Sequence, residues 1–168
     1  MSTTALPGDA LHYTVCPSPV GELLLAGSNK GLYLIHFQQA EGPLTISPHW
    51  QQGGLALLAE ARAQLTQYFA GQRQRFDLPL EPQGTAFQQR VWAALQAIPY
   101  GHTTHYGALA AQLGKPGAAR AVGGANGANP LPIIIPCHRV LAAGGALGGY
   151  SAGLDIKRKL LALERGKT

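Results

Sequence analysis

The segment from Phe76 to Gly84 divides this sequence into two parts with different structural patterns. Pro79 and Pro82 interrupt regular backbone hydrogen bonding, so the segment is predicted to form a short strand followed by a linker. We therefore place a domain boundary here, with one domain over residues 1–82 and a second over residues 83–168. Hydrophobic residues make up 46% and charged residues 12% of the chain, which suits a folded protein rather than a disordered one.

The first part has the pattern of a small antiparallel sheet with one helix. Apolar and polar residues alternate over residues 11–15, and two further apolar runs follow at residues 23–26 and 32–37. Turn sequences rich in Pro, Gly and Asn separate the runs, which predicts a three-stranded meander. Residues 38–53 are predicted to be a loop, and apolar residues at helical spacing predict a helix over residues 55–70.

The second part is predicted to be mainly helical. The expected helices cover residues 85–97, 106–113, 118–128 and 154–165. The short break Gly114–Gly117 makes the second and third of them a helix-turn-helix. A β-rich run is expected at Ile133–Ile135, and the glycine-rich segment Gly144–Gly153 is expected to be a loop. The predicted fold class is therefore α+β, with an N-terminal antiparallel-sheet-plus-helix domain before a helical C-terminal domain.

Positive charge is concentrated in the second half of the chain. Residues 1–84 hold four Lys and Arg against six Asp and Glu, a balance of −2. Residues 85–168 hold nine against two, a balance of +7, which accounts for the net charge of +5. A basic half is typical of proteins that bind a polyanion such as nucleic acid, although solvated Lys and Arg on surface helices give the same count.

Membrane and secreted classes are disfavoured by the sequence. No stretch approaches the run of about 18 apolar residues that spans a bilayer. The first 20 residues lack a basic region followed by an apolar one, so no secretory signal is expected. The two cysteines, Cys16 and Cys137, do not make a disulfide framework, which indicates free thiols in a reducing, cytoplasmic setting.

The predicted helix over residues 118–128 carries mostly alanine and glycine. A helix that reads the major groove normally presents several long polar side chains, whereas this one presents only Arg120. Gly123 and Gly124 each cost a helix about 1 kcal/mol relative to alanine, which indicates that something approaches its backbone closely. A narrow DNA groove satisfies that requirement, and so does tight packing inside a core.

Cys137 lies in the sequence Ile-Pro-Cys-His-Arg-Val. Neighbouring cations can hold such a thiol as a low-pKa thiolate, but a lone cysteine is also common as a small buried residue. In a regular strand the side chains of Cys137 and His138 lie on opposite faces, so they pair only if the chain turns or a water bridges them. Glu164, beside leucines of the last helix, is either a surface residue or a carboxylate that orients a histidine.

These segments resemble the O6-alkylguanine-DNA alkyltransferases, also called methylated-DNA–protein-cysteine methyltransferases. The Pro-Cys-His-Arg-Val sequence at residues 136–140 is similar to the active-site signature of that family. The residues similar to its other motifs, in the same order, are 98–101, 106–110, 120–123, 129–130, 150–151 and 163–164. The resemblance runs continuously over residues 84–166, and the strand-and-helix part before it is similar to the accessory domain of the family.

The resemblance implies repair of DNA by direct reversal of alkylation. An alkyl group would pass irreversibly from O6-alkylguanine, or from O4-alkylthymine, in duplex DNA to Cys137 after the base flips out. His138 would accept the thiol proton through a water, Glu164 would hold His138, and Asn129 would organise the turn. Tyr106 would donate a hydrogen bond that helps guanine leave as a neutral base, and would act near the rotated phosphate. Because the thioether product resists hydrolysis, each molecule would act once.

The resemblance also implies a DNA-contacting surface and a base pocket. Arg120 would fill the space left by the extruded nucleotide. The other residues that would contact the minor groove are Ala118, Ala121, Gly123, Gly124, Ala125, Thr103 and Tyr106. Tyr150 and Ser151 would contact the lesion in a pocket that is also lined by Val140, Gly148 and Gly149. Some family members carry long polar side chains where this chain has Asn126 and Gly127.

Neither a cofactor nor a metal is implied for this chain. His12, Cys16, His36 and His49 lack the spacing of a ligand set. The expected partner is double-stranded DNA with O6-alkylguanine lesions, bound by a bacterial-type cytoplasmic monomer, with cooperative binding along DNA left open. Two other classes compete with this hypothesis. One is a DNA-binding regulator or lesion sensor with a structural Cys137, and the other is a cysteine hydrolase.

Overall fold

The computed structural model describes residues 11–166, and the chain divides between Gln83 and Gly84 into two compact units. The first unit is a four-stranded sheet with one helix. Its strands are β1 (His12–Cys16), β2 (Leu23–Ser28), β3 (Gly31–Phe37) and β4 (Gln51–Gln52), and its helix is α1 (Ala56–Phe69). The strand order is β3-β2-β1-β4. The antiparallel pairs β1–β2 and β2–β3 form the predicted meander.

The short strand β4 is an addition to the predicted sheet. It pairs in parallel with β1 inside the segment that was expected to be only a loop. The same segment covers part of the sheet, since Leu44, Ile46 and Trp50 pack against a buried cluster. The cluster consists of Leu11, Leu24, Ala26 and Tyr33. The loop residues therefore complete a core that three short strands would leave open to water.

The helix α1 buries one side against the sheet. Leu58, Ala61, Leu65 and Tyr68 recur at the three- and four-residue spacing of a helix face and are buried. The strand expected at the start of the linker is reduced to a single bridge between Leu32 and Leu80. The prolines in that linker have no backbone N–H to extend a ladder.

The second unit is mainly helical, as predicted. Its elements are α2 (Ala86–Gln96), β5 (Thr104–His105), α3 (Tyr106–Gln112), α4 (Ala119–Gly127), β6 (Val140–Leu141) and α5 (Leu154–Glu164). The helix α2 begins at a capping box in which the Thr85 hydroxyl accepts from the Gln88 backbone N–H and the Gln88 side chain accepts from the Thr85 N–H. The helices α3 and α4 form the predicted helix-turn-helix. Together the two units confirm the α+β fold class.

The interior of this unit fixes α4 on α2. The indole Nε1 of Trp92 in α2 donates to the carbonyl of Ala125 in α4 over 2.9 Å, and both residues are buried. Val122 lies on the same buried face of α4. The opposite face of α4, which carries mostly alanine and glycine, is thereby exposed to solvent. No helix within residues 11–166 is long and apolar enough to cross a membrane.

The prediction of a β-rich run at Ile133–Ile135 is wrong. These three isoleucines are buried in a chain of turns, and Ile133 has a φ of 77°, which a β-branched residue rarely adopts. The Asn129 side chain holds the turns together. Its Nδ2 donates to the Ile135 carbonyl over 2.8 Å, and its Oδ1 accepts from the Leu131 N–H over 2.9 Å. The chain therefore passes through hydrogen-bonded turns at the residues where the apolar run alone suggested a strand.

Candidate active site

Cys137 opens a single 3-10 turn, Cys137–Arg139, between the turns described above and β6. All three residues of the turn are buried. With about three residues per turn, neighbouring side chains are roughly 120° apart, so Cys137 and His138 do not point to opposite faces as they would in a strand. The sequence left open whether the chain turns at Cys137, and the structure shows that it does.

Glu164 joins this turn to α5 through three hydrogen bonds. Its carboxylate lies 2.6 Å from Nε2 of His138, and it accepts from Nε and Nη2 of Arg139 over 2.7 Å and 3.1 Å. Glu164 is 6% exposed and His138 is fully buried. Of the two interpretations drawn from the sequence, the surface residue is therefore wrong and the orienting carboxylate fits. A carboxylate accepts only, so Nε2 carries a proton and Nδ1 presents its lone pair.

The surroundings favour neutral forms of both His138 and Cys137. Burial lowers the pKa of His138, and the hydrogen bond and charge of Glu164 oppose that change only in part. Burial raises the pKa of the Cys137 thiol, while hydrogen bonds from Asn129 and Tyr150 and the charge of Lys157 lower it less. At neutral pH the resting site therefore holds a thiol and a neutral imidazole.

The low-pKa thiolate suggested by the sequence does not fit this structure. Arg139 was a candidate for stabilising such a thiolate, but its guanidinium is engaged elsewhere. It pairs with Glu164, donates through Nη1 to the Ile98 carbonyl over 2.7 Å, and lies 5.8 Å from the ring centre of Tyr100. Arg139 therefore does not supply the positive charge that a low-pKa thiolate at Cys137 requires.

Tyr106 reaches the same region through a two-strand pairing. β5 and β6 pair in parallel, with Thr104 opposite Val140 and His105 opposite Leu141, so the first residue of α3 lies beside the chain that follows Cys137. The imidazole Nδ1 of His105 caps α3 by accepting from the Ala108 N–H over 3.2 Å. Tyr106 is partly buried, and burial raises its pKa.

The predicted DNA-contacting residues fall into two groups. Arg120, Ala121, Gly124 and Thr103 are exposed, and Ala118 and Gly123 are partly exposed. Ala125 is 4% exposed and its carbonyl accepts from Trp92, so the structure turns it away from that face. Ala125 therefore supports α4 from inside, and its contact with DNA stays a prediction.

The predicted pocket residues lie on the segment between β6 and α5. The Ser151 hydroxyl donates to the carbonyl of Gly127 over 3.1 Å, which links this segment to the end of α4. Val140 is buried, Gly148 and Tyr150 are partly buried, and Gly149 is exposed. Gly148 has a φ of 71°, which favours glycine, and a Cβ there would lie 3.4 Å from the Tyr106 ring, so the loop passes beside that ring.

Lys157 is a component of the site that was not predicted from the sequence. It is fully buried on α5, and its Nζ donates to the carbonyls of Val140, Leu147 and Gly149 over 2.7, 2.5 and 3.2 Å. All three N–H donors of the ammonium group are thus used to hold Val140 and the segment that follows it. A signal was present, since Lys157 and Glu164 are seven residues apart and share the apolar face of α5.

The described residues contain no cluster of metal ligands. Between residues 11 and 166 no three His, Cys, Asp or Glu side chains lie close enough to hold an ion. His12 and His36 instead contact backbone carbonyls, those of Gly53 and Gly42, over 2.7 Å and 2.6 Å.

Replacing Lys157 with methionine is expected to destabilise the protein by about 2–4 kcal/mol, because three backbone carbonyls lose the buried ammonium group that donates to them. Unfolding in denaturant measures the change. Lys159→Met is the matched control, since Lys159 is exposed on the same helix and its loss should cost less than about 0.5 kcal/mol. Equal free energies of unfolding for the two variants would show that the carbonyl contacts contribute nothing.

Comparison with known proteins identifies the family of this chain. Residues 86–166 match the DNA binding domain of 6-O-methylguanine DNA methyltransferase, and residues 11–82 match its ribonuclease-like domain. The methylated-DNA–protein-cysteine methyltransferase of Methanosarcina acetivorans is 47% identical over 92% of this chain and 98% of its own length. That of Mycobacterium tuberculosis is 49% identical over 94% of each chain.

The fold agrees with this relationship. The crystal structure of Mycobacterium tuberculosis OGT in complex with DNA superimposes with a TM-score of 0.85, at 48% identity over 94% of each chain. The crystal structure of Mycobacterium tuberculosis O6-methylguanine methyltransferase gives a TM-score of 0.83. The buried Cys-His-Arg turn, its glutamate and both matched domains lead to one conclusion: this chain belongs to the methylated-DNA–protein-cysteine methyltransferase family.

Proposed function

We propose that this protein repairs duplex DNA by moving the alkyl group of O6-alkylguanine irreversibly to the thiol of Cys137. The observation that carries the proposal is the hydrogen bond between His138 and Glu164. It leaves the lone pair of His138 Nδ1 free to act as a base in the residue next to the thiol. Among residues 11–166 this nitrogen has no hydrogen-bond partner although it is buried.

The reaction balances with the residues present. The Cys137 sulfur attacks the alkyl carbon, the bond from that carbon to O6 breaks, and its electron pair goes to guanine. The thiol proton passes to His138 through a water, and guanine gains a proton with help from the Tyr106 hydroxyl. In sum one proton moves from sulfur to guanine, and a carbon–sulfur bond replaces a carbon–oxygen bond. The thioether is not hydrolysed, so one molecule repairs one lesion.

The exposed face of α4 supports binding in the minor groove. A Cβ at Gly124 or Gly127 would meet no atom within 4 Å, so packing within the protein does not require these glycines. Each lowers helix stability by about 1 kcal/mol relative to alanine, and an external partner that approaches the backbone accounts for that cost. DNA is the partner in the crystal structure of the mycobacterial relative. Arg120 is exposed on this face and is the side chain that we place inside the duplex.

O4-alkylthymine is a second substrate in this proposal. It carries its alkyl group on an exocyclic oxygen next to a ring nitrogen, as O6-alkylguanine does, so the same thiol can attack it. The residues assigned to the pocket are Val140, Gly148, Gly149, Tyr150 and Ser151. We propose that the protein is a monomer, which suits a reagent in which each molecule reacts once.

Incubation with a duplex that holds one O6-methylguanine is expected to add one methyl group to the protein, measured by intact-protein mass spectrometry. Cys137→Ser should still bind DNA but gain no methyl group, because a hydroxyl is a much weaker nucleophile. Cys16→Ser, the matched control at the other buried cysteine, should gain one methyl group. Binding without transfer in the wild type would indicate a lesion sensor, and repeated turnover on small substrates would indicate a hydrolase.

Gly124→Ala is expected to stabilise the free protein by up to about 1 kcal/mol, since the new methyl group enters open space on an exposed helix. The same change should slow repair of duplex DNA by about tenfold, the effect of roughly 1.4 kcal/mol of lost binding. Reaction with a free O6-alkylguanine base is the control and should be unchanged. Unchanged repair of duplex DNA would argue against close approach of DNA to α4.

The rate of alkyl transfer is expected to stay level between pH 6.5 and pH 9.0, the ordinary pKa values of the two groups. His138 has a lowered pKa and is neutral throughout this range, while the Cys137 thiol has a raised pKa and stays protonated. The rate should fall only when the pH drops through the lowered pKa of His138. His138→Ala should instead give a slow rate that rises about tenfold per pH unit with ionisation of the thiol. A similar rise in the wild type would exclude His138 as the base.

A further inference from the structure

Arg139 is a buried charged residue to which the reaction above assigns no step. It is 6% exposed and directly follows His138, the residue proposed as the base. Burying a guanidinium group costs free energy unless its charge is neutralised and its N–H groups are bonded. An apolar side chain of similar size is often at least as stable in such a position, so the buried charge calls for a role beyond packing.

The guanidinium of Arg139 engages both carboxylate oxygens of Glu164. Its Nε donates to Oε1 over 2.7 Å, and its Nη2 donates to Oε2 over 3.1 Å. Oε2 is also the oxygen that lies 2.6 Å from Nε2 of His138. The third contact, from Nη1 to the Ile98 carbonyl over 2.7 Å, holds the guanidinium in this orientation. The two residues that follow Cys137 therefore share one carboxylate.

The groups that act on the protonation of His138 come from the turn and the elements around it. The ionisable side chains around the imidazole, its carboxylate and the thiol are Tyr100, Tyr106, Cys137, Arg139, Lys157 and Glu164. The helix α2 also packs against the turn, and its buried residues do not ionise. Burial is the main cause of the lowered pKa of His138, and the hydrogen bond and charge of Glu164 oppose it. The positive charges of Arg139 and Lys157 lower that pKa further. Since Lys157 donates to backbone carbonyls, Arg139 is the cation among the described residues that pairs with Glu164.

The consequence of this pairing follows from what the site would do without it. If the guanidinium were removed, Glu164 would be a buried anion whose neighbour is a neutral imidazole. A carboxylate in such a setting takes up a proton rather than stay uncompensated. A proton shared in the hydrogen bond between Glu164 and His138 leaves a hydrogen on Nδ1, whichever side of that bond the shared proton takes. Nδ1 carries the lone pair that the proposed reaction requires, so this uptake would block the base.

We infer that Arg139 is a positioning residue for alkyl transfer, whose guanidinium neutralises Glu164 and thereby keeps a proton off Nδ1 of His138 at neutral pH. The inference rests on the proposed function, in which that nitrogen receives the thiol proton. It gives the arginine of the Pro-Cys-His-Arg sequence a chemical role beyond fastening the turn to α5. Arg139 acts through Glu164 and His138 rather than on the reacting atoms.

The test measures the protonation of His138 and the rate of alkyl transfer in the same proteins. Arg139→Gln removes the charge but keeps an amide that can donate to Glu164, whereas Arg139→Lys keeps the charge. NMR of protein with isotope-labelled histidine follows the ring nitrogens without DNA, and the His138 signals are identified by their loss in His138→Gln. Single-turnover rates with a duplex that holds one O6-methylguanine are measured from about pH 5.5 to about pH 8.5. Circular dichroism checks the fold, and Arg139→Met is the second uncharged variant if the glutamine does not fit.

In Arg139→Gln the midpoint of His138 protonation should rise by at least about one pH unit, because the carboxylate is no longer neutralised. The rate should then fall about tenfold per pH unit below that midpoint, whereas a purely structural defect would lower the rate alike at every pH. Arg139→Lys should keep the wild-type midpoint within about half a pH unit, even if its rate is lower throughout. Arg158→Met is the matched control: this exposed arginine of α5 pairs with Asp155, so its loss should leave the midpoint and the shape of the profile unchanged.

The outcomes separate the inference from the proposed function. A raised midpoint in both measurements for the uncharged variant, with the wild-type midpoint kept in Arg139→Lys, supports the inference. An unchanged NMR midpoint, a raised midpoint without a matching change in the rate profile, or an equal rise in Arg139→Lys overturns it. A wild-type His138 that already carries a hydrogen on Nδ1 at neutral pH also overturns it, and that measurement needs no variant. In each case methyl transfer from O6-methylguanine to the wild-type protein still supports the proposed function, and absence of that transfer overturns the proposed function itself.

Discussion

The carboxylate of Glu164 is the group on which the reactive half of this protein depends. It holds His138 on one side and Arg139 on the other, so one buried anion fixes the tautomer of His138 and neutralises a buried cation. Removing charges from water is costly, and the pair persists because Arg139 also bonds the Ile98 carbonyl. These bonds fasten the Cys137–Arg139 turn to α5. The same helix carries Lys157, which holds the segment after the turn, so a single helix positions both His138 and that segment.

The parts of the fold that follow local rules could be predicted from the sequence. Thr85 begins α2 as an N-cap, and apolar spacing marks α1 and α5. The isoleucine run 133–135 could not be predicted correctly, because three apolar residues give the same pattern in a buried strand and in a buried turn. What decides between them is the Asn129 side chain, which bonds across the segment. The pairs β4–β1 and β5–β6 were also missed, since two-residue strands have no periodicity to detect.

The candidate site divides in a similar way. The motif around Cys137 and the resemblance it carries led to His138 and Glu164, which the structure brings into contact. The sequence did not indicate what Lys157 and Asn126 do, because their partners are backbone carbonyls up to 17 residues away along the chain. The ionisation state of Cys137 could not be predicted from the sequence either. Neighbouring cations suggested a thiolate, but Arg139 is committed to Glu164 and burial dominates. Charge counted along a sequence says little about where that charge is directed.

The burial of Arg139 and Lys157 also limits how the basic half can hold DNA. Within residues 85–166 the cations left exposed are Arg90, Lys115, Arg120, Arg158, Lys159 and Arg165, and Arg158 is already paired with Asp155. Each phosphate that a protein neutralises releases bound counterions and adds about 0.9 to the slope of log affinity against log salt. Burying Arg139 and Lys157 therefore lowers the number of ions that DNA binding can release, and it makes the salt dependence shallower than the count of nine Lys and Arg in this half would give. The net charge of this half therefore overstates the number of positive charges that it can place against the phosphates of a duplex.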